Sequence, residues 1–111
     1  MERVEKAADA VPQSFNSIKE FYPFYLSQHE SRANRRLHFV GTTIVIILAI
    51  AAVVSGNWWL LIGMPIAGYG FAWVGHFAFE KNKPATFTYP FYSLACDFVM
   101  YKDILTGRIK F

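Results

Sequence analysis

From Leu37 to Phe79 the chain carries no Asp, Glu, Lys or Arg, and the imidazoles of His38 and His76 are its only groups there that titrate near neutrality. A run of that kind must be hidden from water, in lipid or in a protein core. It breaks once, at the turn-forming triplet Ser55-Gly56-Asn57. The two pieces, Leu37 to Val54 and Trp58 to Phe79, both match the length of about 17–25 residues that crosses a hydrocarbon core. A buried hairpin in a soluble bundle would need polar faces, and Thr42 and Thr43 are nearly all that the first piece offers. Only 17% of the 111 residues are charged, against about 25% in an ordinary soluble domain. The expected fold class is therefore all-α: a single domain over residues 1 to 111, built as an integral membrane hairpin of two transmembrane helices.

Basic residues set its orientation. Arg32, Arg35 and Arg36 precede the first span, Lys81 and Lys83 follow the second, and the connecting triplet has none, so both termini are expected in the cytoplasm. An apolar run beginning at residue 37 is too far in for a cleaved signal peptide, and both spans are expected to persist. The net charge of +3 is explained by these flanks lying against anionic headgroups, without nucleic acid. The single cysteine, Cys96, allows no internal disulfide and reads as a small buried apolar residue.

Residues 1 to 13 are polar and without periodicity, so the chain up to about residue 16 reads as a flexible leader. Ser17 to Glu20 fits a capping box, although Pro23 would instead favour a helix start near Tyr22. The aromatic stretch Phe21 to Tyr25 suits the headgroup boundary and reads as an interfacial segment. After Lys81-Asn82-Lys83-Pro84, the residues Phe91, Leu94, Phe98, Tyr101 and Leu105 recur every three or four positions. They predict an amphipathic helix over about 88 to 106, lying on the membrane or capping the hairpin, and ended by Gly107. Small residues along the second span, and Gly41 on the first, read as packing devices.

A hairpin returns the chain to its starting side, so His38 and His76 should sit at similar depth near the cytoplasmic boundary. His29 can join them only if the chain bends, with Ser31 to Asn34 as the expected bend, because nine residues of continuous helix would turn His29 away from His38. Three gathered imidazoles suit a metal such as iron, zinc or copper. Equally, they could be interfacial residues bonded to backbone carbonyls. Glu80, four residues after His76, shares its helical face and could ligate the metal, orient the imidazole, or pair with a nearby cation. Asn34 stands in the same relation to His38, and Asp97 is a third candidate carboxylate. No nucleophile elbow and no phosphate-binding loop competes with this cluster. Two spans alone leave polar residues to enclose, which self-association into a homo-oligomer would do.

The pattern His29, Asn34, His38, Gly41, followed after the hairpin by Gly75, His76, Glu80, Pro84 and Ala85, resembles the Mpo1-like family, and the likeness extends from about residue 17 to 105. The resemblance implies a membrane-embedded, iron(II)-dependent dioxygenase that uses O2 to shorten a 2-hydroxy fatty acid by one carbon, in fatty-acid α-oxidation. It implies Fe2+ on His29, His38 and His76, with Asn34 and Glu80 in the catalytic site, and membrane lipid as surroundings. Its setting would be a bacterial inner membrane, or the endoplasmic reticulum in a eukaryote, where fungal relatives break down phytosphingosine. Arg32, Arg35 and Arg36 are expected to grip the substrate carboxylate, since a guanidinium can offer it two hydrogen bonds. A non-catalytic lipid-interaction or assembly protein and a zinc-dependent lipid hydrolase are the alternatives.

Overall fold

The computed structural model describes residues 15–84 and 87–111, so the leader up to residue 14, and Ala85 of the Pro-Ala pair, lie outside the described residues. Helix α1 spans Ile18–Ser27. Ser17 Oγ accepts from the Glu20 amide at 3.1 Å and Glu20 Oε1 accepts from the Asn16 amide at 3.0 Å. This reciprocal cap fixes the earlier of the two expected starts and leaves Pro23 inside the helix.

Helix α2 (Arg32–Ser55) contains the first expected span and extends it upstream through all three arginines. Its 24 residues measure about 36 Å at about 1.5 Å per residue, enough for a hydrocarbon core of about 30 Å. Gly56, with φ of 74°, takes the left-handed conformation that closes this helix, and Asn57 Oδ1 accepts from the Trp59 amide at 3.3 Å to open the next. The return helix runs from Trp58 to Glu80 with three windings: a 3₁₀ turn over Trp58–Ile62, helix α3 over Gly63–Val74, and a π-helical segment over Gly75–Glu80. Close approach of α2 and α3 needs a missing side chain at Gly41, where a Cβ would stand 3.0 Å from Phe71 Cβ.

Both hairpin helices are long and apolar enough to cross a membrane. Only 22% of the apolar window in the first and 11% in the second is buried, and Ile47, Ile50, Val53, Trp59 and Ile66 face outward. The core helix of a soluble protein would show the reverse.

Helix α4 (Pro90–Leu105) begins with proline at its first turn and ends before Gly107, whose φ is 83°. It packs on α1 to form the aromatic core, with Phe21, Tyr25, Cys96, Met100 and Ile104 buried together. Here the structure departs from expectation. Phe21 and Tyr25, read as headgroup-facing rings, are among the most buried side chains in the protein. Of the periodic stripe on α4, Phe91 at 85% and Leu105 at 63% exposure point outward, because the face built from Ser93, Cys96, Met100 and Ile104 covers α1. That helix is apolar on two sides. Tyr101 ties it to α2 by stacking on Phe39 at 4.6 Å and bonding to Thr43 Oγ1 at 2.9 Å.

Candidate metal centre

Three segments each deliver one histidine: His29 from the break between α1 and α2, His38 from the second turn of α2, and His76 from the π-helical segment. All three are buried, and their ligand atoms lie within 4.8 Å of one another. His29 Nε2 stands 3.2 Å from His38 Nε2 and 3.0 Å from His76 Nε2. The bend that permits this falls at Gln28 to Ser31, just ahead of the expected position, because Ser31 already caps α2 by accepting from the Asn34 amide.

The other ring nitrogens decide what the cluster can hold. His29 Nδ1 donates to the Tyr25 carbonyl at 2.7 Å, and His38 Nδ1 to the Asn34 carbonyl at 3.0 Å. His76 Nδ1 donates to Asn82 Oδ1 at 2.7 Å, and the Asn82 amide nitrogen is committed to the Gln28 carbonyl and Gln28 Oε1. Carbonyl oxygens only accept, so each neutral ring carries its proton on Nδ1 and turns a bare Nε2 lone pair toward the other two. The His29 lone pair faces both of the others at about 3 Å, a repulsion that a cation between them relieves. With bonds of about 2.1 Å, nitrogen ligands at a right angle stand about 3.0 Å apart and tetrahedral ones about 3.4 Å, so the observed spacing fits one shared ion. A cavity of about 10 Å³ adjoins the three histidines, lined also by Tyr25, Tyr69, Ser93 and Asp97, with room for a single small occupant. Burial first, and then His38 and His76, hold the His29 imidazole well below its usual range, so it stays neutral as a ligand must.

Glu80 is not turned toward the cluster. Its carboxylate accepts from the amides of Glu30 at 3.0 Å and Ser31 at 2.8 Å and from Asn34 Nδ2 at 3.1 Å, clamping the chain break at the start of α2. The expected pairing with His76 gives way to these three N–H donors, which draw the Glu80 carboxylate toward the start of α2. Asn34 likewise serves His38 through its carbonyl, while its side chain supports Glu80. Gly75 makes room for it: a Cβ there would stand 2.0 Å from Asn34 Oδ1.

The arginines are also placed differently. Arg32 and Arg36 each donate to the Phe111 carbonyl at 3.1 Å, and Arg36 lies 5.0 Å over the Phe111 ring. Arg35 donates to the carbonyls of Lys110, His29 and Glu30. None of the three lines the histidine cavity, so their expected role as carboxylate binders has no support in the geometry. They bind the last residues of the chain to α2 instead.

The acidic side chain on the cavity wall is Asp97, from α4. Tyr25 stacks on His29 with ring centroids 4.0 Å apart, and its hydroxyl donates to Asp97. Burial pushes the Asp97 carboxyl up to about 7, against the opposing pull of that hydroxyl. Asp97 and Tyr69 also line a second and larger space, an apolar groove of about 310 Å³ between α2, α3 and α4, walled by Val45, Met64, Gly68, Leu94 and Phe98.

Asn82, Tyr25 and Tyr69 are the site residues that sequence reasoning missed. Tyr25 was within reach of it, being four residues before His29 and so on the same face. Asn82 carried no such signal, since between two lysines and a proline it reads only as the end of a helix.

Over residues 15–109 the chain matches the Mpo1-like family, described as 2-hydroxy-palmitic acid dioxygenase Mpo1-like, and it belongs to that family. No curated protein and no solved structure matches it.

Proposed function

We propose that this Mpo1-like protein is an iron(II)-dependent dioxygenase that removes one carbon from 2-hydroxy fatty acids at the membrane surface. The observation that carries the reading is the set of three bare Nε2 lone pairs on His29, His38 and His76, each fixed by an acceptor on its Nδ1. Bound there, iron would supply activation of O2 and chelation of the substrate's carboxylate and 2-hydroxyl. The protein's own residues supply the rest. Tyr25 holds the His29 ring plane, Asn82 the His76 tautomer, and the Asn34 carbonyl that of His38. Glu80 acts on the site only through the frame, by fixing the break that brings His29 back over α2.

In this reading one domain crosses the membrane twice, with α1 and α4 at the headgroup level and both termini on the cytoplasmic side. A fatty acid is anchored there by its tail, and its carboxyl end meets the histidine cluster at the depth where its polarity holds it. Fully buried ligands keep water from the reacting end.

Metal analysis of anaerobically purified protein, with oxygen uptake on adding 2-hydroxypalmitic acid, tests the proposal. One iron per chain, lost in folded His29→Ala, His38→Ala and His76→Ala variants, together with substrate-dependent uptake, is the expected result. Zinc without oxygen uptake, or a protein that stays metal-free after iron is added, would overturn it.

A further inference from the structure

The groove of about 310 Å³ is walled by all three long helices and shares Asp97 and Tyr69 with the histidine cavity. Apart from Thr42 of α2, its other walls are aliphatic, aromatic or thioether, from Val45 of α2, Met64, Pro65 and Gly68 of α3, and Leu94 and Phe98 of α4. Leu94 and Phe98 are also half exposed, so the groove opens onto the outward apolar surface that continues through Ile66 and Phe91. A space that is apolar along its length, open to that surface and closed at one end by a carboxyl and a phenol beside three imidazoles has the polarity profile of a fatty acid.

We propose that this groove holds one acyl chain, which slides in sideways between α3 and α4 and brings its carboxyl end past Asp97 and Tyr69 to the histidines. As an account of substrate delivery, this rests on the dioxygenase reading; as a binding site it stands without it. The occupant is a lipid chain because the groove opens where the spans meet hydrocarbon and, besides Asp97, Tyr69 and the Thr42 hydroxyl, is lined by apolar residues.

A physical consequence distinguishes this groove from a water-facing fatty-acid pocket. A methylene leaving water gains about 0.8 kcal/mol, but one passing from lipid tails into an apolar groove exchanges like for like. Selection must therefore act on the polar end. Expressed as mole fraction in the bilayer, apparent affinity should vary by no more than about threefold among saturated chains, where a water-facing pocket would gain severalfold per methylene.

The test uses the full chain in phosphatidylcholine nanodiscs with a palmitic acid analogue carrying a mid-chain diazirine and no 2-hydroxyl, so that labelling does not depend on turnover. Adducts should fall on Val45, Met64, Leu94 or Phe98 and be competed by 2-hydroxypalmitic acid. Leu94→Trp, which fills the groove, should cut labelling at least about fivefold, while Phe91→Trp, on the same helix outside the groove, should leave it unchanged. Adducts scattered over the lipid-facing Ile47, Ile50 and Val53, or labelling indifferent to Leu94→Trp in a folded variant, would overturn the proposal. Groove labelling without oxygen uptake would sustain the groove and remove the dioxygenase reading. Oxygen uptake with labelling elsewhere would do the opposite.

Discussion

Asn82 is the residue on which the tautomer argument can be put at risk. Its Oδ1 accepts from His76 Nδ1 at 2.7 Å, and its nitrogen donates to the Gln28 carbonyl at 3.3 Å and Gln28 Oε1 at 3.2 Å. Asn82→Ala removes the acceptor that keeps the His76 proton away from the cluster. His76 can then move its proton to Nε2 and donate to the lone pair of His29, 3.0 Å away, quenching two ligands together. Losing the partner that orients a metal-binding histidine costs about 10–100-fold in affinity, or about 1.4–2.8 kcal/mol. The two longer bonds to Gln28 are neutral, so the fold loses about 1–3 kcal/mol. Asn82→Asp keeps an acceptor at the same place and should bind metal at least as tightly as the wild type. Anaerobic competition between the protein and a chromogenic chelator for Fe2+ measures both. A folded Asn82→Ala variant that holds iron within about twofold of wild type would refute the tautomer assignment, and with it the reason for expecting a cation.

Glu80→Gln removes a charged acceptor of three N–H groups and should lower stability in detergent by about 1.5–3 kcal/mol while changing iron affinity less than about threefold; loss of the metal would make Glu80 a ligand after all. Gly75→Ala drives a methyl into Asn34 Oδ1 and should cost about 1–3 kcal/mol, read as a lower unfolding midpoint, with an unchanged midpoint counting against the close approach. Asp97 has a folded pKa raised from 3.8 to about 7, so the native state binds a proton that the unfolded chain has released. The buried His29 imidazole, held neutral in the fold, contributes a slope of opposite sign, so the Asp97 contribution is read as the difference between metal-free wild type and Asp97→Asn, which should shift against the wild type by up to about 4 kcal/mol as pH rises from 4 to 7. A wild-type minus Asp97→Asn difference that is flat over the window would show Asp97 to be solvated.

The hairpin was legible because length and the absence of charge are properties of composition, and Ser55-Gly56-Asn57 marks its turn with residues that have few other uses. Convergence of His38 and His76 followed from the hairpin alone. The carboxylate beside them did not, because Glu80 is claimed by N–H donors of Glu30, Ser31 and Asn34, about fifty residues earlier in the chain. Phe21 and Tyr25 were misplaced for a different reason: an aromatic run beside an apolar helix suits a headgroup boundary and a small core equally well, and only the partner helix α4 decides. The arginines were assigned by charge, whereas their donors went to carbonyls at residues far along the chain, a contact no local pattern encodes.

The three histidines come from three segments that meet only in the finished fold, and His29 belongs to neither apolar helix. A chain synthesised only as far as residue 75 lacks the last of them. One with both apolar helices closed but α1 undocked lacks the first. A metal taken up there could be captured only as the closing act of biogenesis, and would then work as a latch, joining the segment after α1 to both arms of the hairpin. By mass action, free metal at about 100 times its dissociation constant adds about 2.7 kcal/mol to that closure. Without it the segment after α1 would be held to the hairpin by its hydrogen bonds, the Glu80 clamp among them, so scarcity of the metal would be felt first as a looser architecture.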